Sequence, residues 1–249
     1  MSETVATSYG QQFAGFYDRL FPRDESVDAA VDRLAALHRE EANPPLELGV
    51  GTGRVALPLA ERLGAVVGVD ASPEMLARLE SARGRVTPVQ GDMRDYRETT
   101  DHGLVYCVLG SLSILLERDE QRAAVKTCAA AAAPGAAVVI ETHNPAFVKA
   151  LHRGQRTTSW LVPYAQADRA LLSHVTLDEE RGLWQLSHVF FDAGCTRVAS
   201  EASLLVTPGE LDEMAGAAGL EPEARHATWD GSPLHDGAPM AVSTYRRPI

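Results

Sequence analysis

Apolar residues recur along this chain with two periods, and the alternation between them outlines most of the architecture. From Ser26 to Arg39 they fall at helical spacing, as Val27, Ala30, Val31, Leu34 and Leu37. A short apolar run from Leu46 to Gly49 then predicts a strand, and Val55 to Leu63 a helix closed by Gly64. The same exchange repeats. Strands are predicted over Val66–Asp70, Val86–Gln90, Gly103–Leu109 and Ala136–Glu141. Between them, Ser72-Pro73-Glu74 opens a helix with a capping serine and a proline in the first turn, and Glu117–Ala133 forms a long alanine-rich helix ended by Pro134-Gly135. Strands separated by helices predict a parallel sheet covered on both faces. Ligands bind such sheets beyond the carboxyl ends of the strands. That rule gathers Gly49 to Gly53, Asp70, Asp92, Val108 to Ser111 and Glu141 to Asn144 along one edge.

After Pro145 the pattern changes. Ser159–Val162, Ala170–Leu177, Leu183–Phe191 and Ser200–Leu205 alternate with the period of a strand and have no long helix between them. Asp178-Glu179-Glu180-Arg181-Gly182 fits a hairpin turn, so the segment is expected to be an antiparallel insertion roofing the acceptor side. Thr207-Pro208-Gly209-Glu210 is a capping box that opens a helix closed near Gly219. Leu220–Arg225 and Met240–Arg246 are the last two predicted strands, with a loop at Trp229–Leu234 between them. At the other end, residues 1–7 are expected to be disordered. Ser8–Pro22 carries Tyr9, Phe13, Phe16, Tyr17, Leu20 and Phe21, an amphipathic aromatic stretch. The expected organisation is a helical lid over 1–40, a ligand-binding core over 41–150, the insertion over 151–206 and a closing helix with two strands over 207–249.

A length of 249 residues suits one large α/β domain with an insertion. The formal charge of −11 makes a poor match for nucleic-acid phosphates. Cys107, Cys128 and Cys195 are odd in number and lack metal-ligand spacing, so they read as reduced thiols of a cytoplasmic protein. No apolar run reaches membrane-spanning length, and no metal cluster stands out.

The chemistry is concentrated at Glu47-Leu-Gly-Val-Gly-Thr-Gly-Arg54. Gly49, Gly51 and Gly53 make G-x-G-x-G, not the G-x-G-x-x-G of dinucleotide binders, and the Lys-Ser/Thr ending of a phosphate-gripping loop is absent. Glu47, two residues before the first glycine, suits a ligand with an ammonium group. Asp70 ends the next strand, where a ribose-binding acid belongs, and Asp92 follows the one after. A NAD-dependent oxidoreductase fits this spacing less well.

Taken in order, E-x-G-x-G-x-G, V-V-G-V-D-A-S-P-E-M-L and Q-G-D-M-R-D resemble the class I S-adenosylmethionine (SAM) methyltransferases, over about residues 9 to 145. The fold this resemblance implies is α/β and Rossmann-like: a seven-stranded, mostly parallel sheet with helices on both faces, plus the antiparallel insertion after the fifth strand. It also implies that Gly49, Gly51 and Gly53 approach the methionine part of SAM, with Glu47 supporting its ammonium group. Asp70, with Ala71, takes the ribose. Gly91, Asp92 and Met93 meet the adenine, Met75 the adenosine, and Val108 or Leu109 offers a carbonyl. Within F-A-G-F-Y-D-R-L-F, Tyr17 matches a lid tyrosine close to SAM and is a candidate for orienting the acceptor. His143, after the fifth strand, is the candidate base, weighed against a purely structural role. Tyr9, Ser111, Glu141, Trp160, His174 and Trp229 are further candidates for the acceptor pocket. The lid and insertion resemble those of bacterial natural-product enzymes, including N-methyltransferases of amino sugars and glycopeptides. The expected partner is therefore a small-molecule acceptor, methylated on nitrogen or oxygen, with no nucleic acid or membrane and with a homodimer as an open expectation. A SAM-binding protein that does not methylate is the alternative.

Overall fold

The computed structural model describes residues 5–38, 43–81, 85–98, 101–164 and 168–249. The amino-terminal segment forms α1 (Val5–Phe13), α2 (Tyr17–Leu20) and α3 (Glu25–Leu37). Residues 1–4, and the expected lid–core boundary at 40/41, lie outside the described residues. The expectation of disorder over residues 5–7 is corrected, because those residues form the first turn of α1. Asp24 caps α3 by accepting from the Ser26 and Val27 N–H groups, which turns the chain sharply into that helix.

The core then runs β1 (Leu46–Leu48), α4 (Ala56–Leu63), β2 (Val66–Asp70), α5 (Pro73–Ser81), β3 (Val86–Gln90), β4 (His102–Cys107), α6 (Arg118–Ala131) and β5 (Ala132–His143). An unforeseen helix, α7 (Pro145–His152), follows. Its start is written in the sequence as an Asn144 cap and a proline at the first helical position. Next come β6 (Thr157–Pro163), β7 (Arg169–Asp178), β8 (Leu183–Asp192) and β9 (Cys195–Leu204), then α8 (Pro208–Ala217), β10 (Glu221–His226) and β11 (Met240–Arg246). The capping box predicted at Thr207 and Glu210 is present.

Seven strands form one sheet in the order β10-β11-β5-β4-β1-β2-β3, parallel except that β11 runs against both β5 and β10. Alternation along each strand divides the core in two. Leu46, Leu48, Val105 and Cys107 face α6 and α8, while Leu104, Tyr106 and Val108 face α3, α4 and α5. Burying each large apolar side chain contributes about 1.5–3 kcal/mol, so both helix layers are anchored to the sheet. Strand order reverses between β1 and β4, which places the ligand crevice at their carboxyl ends.

β6 to β9 form a separate antiparallel sheet in sequence order. Its inner face packs Leu171, Phe190 and Ala199 against Phe13, Phe16 and Leu20 of the amino-terminal segment. Across its outer face, Leu161, Leu172, Val189 and Val198 stand in one cross-strand row, with Leu161 61% and Val198 68% exposed.

Candidate active site

The crevice at the carboxyl ends of β1 and β4 is a cleft of about 260 Å³, walled by Glu47, Gly49, Gly51, Asp70, Ala71, Met75, Gly91, Asp92, Met93, Val108, Leu109 and Ser111 among others. The glycine turn sets its floor. Gly49 has φ +81°, and a Cβ there would come within 2.8 Å of Ser111. Gly51 has φ +55° and faces open space. A side chain at Gly51 would therefore fill the cradle and strain the backbone. Gly53 does not face the cleft. A Cβ on it would come within 2.5 Å of Leu79, so its place in the motif reflects packing of the turn on α5.

Asp70 ties two turns together. Its Oδ2 accepts from the Gly51 N–H and its Oδ1 from the Ser72 N–H, both at 2.8 Å. Burial pushes the carboxyl up and these backbone donors pull it back. Glu47 is 3% exposed, and burial pushes its carboxyl well up. The neighbouring Tyr106 hydroxyl counteracts this, yet neither Glu47 Oε2 nor that hydroxyl completes a hydrogen bond among the described residues. Glu47 is thus a buried carboxyl on the wall of the cleft, with the Tyr106 hydroxyl and the Ala56 N–H beside it.

Two groups of this wall already have protein partners. Asp92 accepts from the Arg94 N–H at 2.9 Å and from its guanidinium at 2.5–3.0 Å, and Arg94 also pairs with Glu120. Although burial raises it, the guanidinium holds the Asp92 carboxyl below its usual range. Asp92 nevertheless lines the cleft, so an adenine amine would share its carboxylate with Arg94. The Val108 carbonyl is likewise taken, by the Ser111 N–H at 3.2 Å and hydroxyl at 2.9 Å.

Beyond this wall lies a second cleft of about 590 Å³. Tyr9, Tyr17, Arg54, Val55, Val108 and Leu109 line both, so the two adjoin. Two contacts seat the lid over them. Thr52 Oγ1, in the glycine turn, donates to Asp18 Oδ1 at 2.7 Å. Gly10 packs so tightly on α5 that a Cβ would come within 1.9 Å of the Ser72 hydroxyl. Burial pushes the Tyr17 hydroxyl up to about 12, so near neutral pH it donates a hydrogen bond and does not serve as a base.

His143, at the end of β5, lines the second cleft. Its ring stands edge-on to Trp184 of β8 at 5.2 Å, and its Nε2 lies over Gly110, 3.0 Å from where a Cβ would be. Burial lowers its pKa more than nearby Glu201 raises it, which keeps the imidazole neutral around pH 7. Glu141 lines the cleft too, but its carboxylate is committed. It accepts from the Leu109 N–H at 2.7 Å and from Trp229 Nε1 at 2.9 Å. The first bond braces Leu109, whose φ of +55° is uncommon for a side-chain-bearing residue. Glu141 and Trp229 thus shape the end of β4.

Trp160 and His174 do not reach either cleft. Trp160 packs beside Val148 of α7, and His174 points outward from β7 and bonds Ser159 at 2.8 Å. Alternation along a strand sends neighbours to opposite faces, and for β6 and β7 the inner face at this level meets α7. Sequence reasoning did not pick out Gly10, Arg54, Gly110 or Glu201. Arg54 closes the glycine motif and could have been noted; Glu201 carries no local signal.

A glycine turn at the strand-order reversal, with one acid ending β2, another just after β3 and a roofed second cleft beside it, defines the site of a class I SAM-dependent methyltransferase. The chain belongs to that family, and SAM is its cofactor. Residues 46–135 match the family model described as a methyltransferase domain. Among solved structures, the CcbJ methyltransferase from Streptomyces caelestis is 31% identical and superposes with a TM-score of 0.85, over 98% of this chain and 99% of that one. A cypemycin N-terminal methyltransferase from Streptomyces sp is 29% identical over 192 residues, 76% of each protein. The dTDP-3-amino-3,4,6-trideoxy-alpha-D-glucopyranose N,N-dimethyltransferase of Streptomyces venezuelae is 26% identical, over 76% of this chain and 75% of that protein. This membership replaces the nicotinamide reading. Among the described residues no helix is long and apolar enough to cross a membrane.

Proposed function

We propose that this protein methylates the nitrogen of a small-molecule amine, in bacterial natural-product chemistry. The observation that carries the reading is a neutral, partly buried imidazole, His143, on the wall of a cleft that adjoins the cofactor cleft. The similarity to proteins named for methylating amines supports nitrogen over oxygen.

The residues fit SAM in chemical character. Glu47 is a buried acid on the cleft wall, suited to the ammonium group, and the open face of Gly51 leaves room for the ligand backbone. The Asp70 oxygens each retain a lone pair for a ribose hydroxyl. Met75 contributes both to the cleft wall and to the packing of the lid. Bound SAM supplies a methyl carbon activated by its sulfonium, whose sulfur keeps the bonding electron pair when nitrogen attacks.

The chain's remaining task is to present a neutral nitrogen in line and to keep water out. His143 takes the proton that an ammonium must lose before it can attack. Tyr9 and Tyr17 cover the junction of the clefts, and the Tyr17 hydroxyl orients the acceptor as a donor. The four regions expected from the sequence serve as lid, cofactor core, acceptor roof and closing layer. A cytoplasmic location belongs to this reading, as does a homodimer through the apolar row Leu161, Leu172, Val189 and Val198. For the dimer, light scattering should show the wild type as twice the chain mass and Val198→Glu as monomer; a monomeric wild type removes it.

The test of the reaction is transfer of labelled methyl from SAM to a panel of matched amines and alcohols. Label on nitrogen is expected. Label confined to oxygen, or none in the presence of calorimetric SAM binding, contradicts it.

A further inference from the structure

The second cleft carries an unbalanced charge. Glu25, Glu141, Glu201 and Asp230 stand on its wall or rim against one guanidinium, Arg54. Its Nη2 donates to the Pro22 carbonyl at 3.0 Å and reaches Asp24 at 3.4 Å, while its Nε is buried without a partner among the described residues. One helix amino-terminus, that of α3, also faces the cleft through Ser26 and Val27, but the Asp24 carboxylate already caps it. Among the described residues the cleft therefore offers an incoming phosphate a single guanidinium, already paired with Asp24, against four carboxyl groups, and no open helix N–H groups.

Glu201 reaches the cleft from β9, beside the rings that line it. Its Oε1 meets His188 Nε2 at 3.0 Å, and a carboxylate has lone pairs beyond that one bond. Behind it, His188 Nδ1 meets the Ser173 hydroxyl at 2.8 Å. Ser173 and His188 are buried, on an inner sheet face that is otherwise largely apolar. With both ring nitrogens bonded, His188 holds the Glu201 side chain in one orientation at the edge of the cleft. The rings of Tyr9, Tyr17, Phe21 and Trp229 line the same space. A carboxylate set among aromatic rings is the surrounding that an organic ammonium prefers, through charge-assisted hydrogen bonding and attraction to ring faces.

We propose that Glu201 is the recognition residue for the acceptor's ammonium group, and that the acceptor is a phosphate-free amine, not a nucleotide-linked one. This rests on the amine-methylating reading above. It sets the chain apart from the similar dimethyltransferase whose name specifies a dTDP-linked sugar. A diphosphate brought into this cleft would face carboxylates in a setting where like charges are poorly screened. An amine enters as a cation, is held by Glu201, and gives its proton to His143.

The experiment uses the full chain loaded with S-adenosylhomocysteine and three probes followed by ligand-observed NMR: benzylamine, its uncharged counterpart benzyl alcohol, and thymidine diphosphate. Benzylamine is expected to bind about tenfold more tightly than benzyl alcohol, as a charge-assisted contact implies, and thymidine diphosphate not to bind in the millimolar range. Glu201→Gln, nearly isosteric, should abolish the amine preference with an unchanged melting temperature, whereas Glu201→Asp should retain part of it. Thymidine diphosphate binding as well as the amine overturns the proposal. So does an amine preference that survives Glu201→Gln, or a failure of the amine to bind. The wild-type comparison stands even if a variant does not fold. Calorimetry with SAM on the same preparation separates the two readings: absent SAM binding removes the methyltransferase site itself, while intact SAM binding without an amine preference removes only the role of Glu201.

Discussion

On the parallel-sheet side of the site, the groups that face the cofactor cleft belong to strand ends and the turns just after them: Glu47 to Gly51 from β1, Asp70 and Ala71 from β2, Gly91 to Met93 after β3, Val108 to Ser111 after β4. On the acceptor side, the facing groups come from α1, α2, α3, the end of β5, β9 and the loops around Trp229 and Met240. The first wall is made largely of backbone held in place by nearby side chains. The second is made of side chains brought together from segments as far apart in sequence as Tyr9 and Met240. Changes to the first should therefore act on SAM affinity and stability together. Changes to the second should act on turnover with little effect on either, except at Glu141, whose carboxylate also braces the β4 turn.

The largest effect is expected at Asp70. Asp70→Ala leaves the Gly51 and Ser72 N–H groups without their acceptor. Each such loss costs about 1–3 kcal/mol, so stability should fall by about 2–4 kcal/mol in denaturant titration, and SAM affinity by about 100-fold or more in calorimetry. Unchanged stability would break the link between this carboxylate and the two turns. Glu141→Ala is next. It removes the acceptor for Leu109 and Trp229, and should lower stability by about 2 kcal/mol and turnover at least tenfold; wild-type turnover would show that the β4 turn holds without its brace.

Gly10→Ala forces α1 away from Ser72. SAM affinity should drop about tenfold with little change in melting temperature, because the strain falls on the lid and not on the core. The pH dependence of turnover is a gentler probe. His143 is neutral above its depressed pKa, so turnover should be flat above about pH 6.5, the ordinary histidine value, and be lost as the pH falls below that through the lowered value. The sign for stability is the same: the unfolded chain takes up the proton first, so folding weakens as pH falls below about 6.5. A limb centred above the ordinary value would contradict the burial argument. The smallest effect is expected for His174→Ala, which sits outside both clefts. Its turnover should stay within about twofold of wild type, as for surface changes generally.

The legibility of each wall in the sequence follows from the same contrast. Glycines at Gly49 and Gly51 and an acid at Asp70 are demanded by backbone geometry within a strand–turn unit, so spacing alone exposes them. The roles of Gly53 and Asp92 looked alike in sequence, and differ in the structure because Leu79 fills the space at one and Arg94 occupies the other. The α7 helix was written in Asn144-Pro145 yet masked by the strand-like residues that follow it. On the acceptor wall, an aromatic or histidine in an alternating strand faces one side or the other, and nothing local tells which. The faces taken by Trp160 and His174 were therefore not legible, whereas His143 was placed by the end of its strand, and Glu201 was invisible. Its position depends on the pairing of β8 with β9 and on the Ser173–His188 chain behind it.

The most direct test of the division between the two walls is His143→Ala, with SAM affinity by calorimetry and labelled-methyl turnover measured on one preparation. SAM affinity within about twofold of wild type, with turnover reduced about 100-fold or more, is the outcome expected of a general base on a separate wall. Wild-type turnover would return His143 to a structural role, and a matching loss of SAM affinity would mean that the two clefts are energetically one.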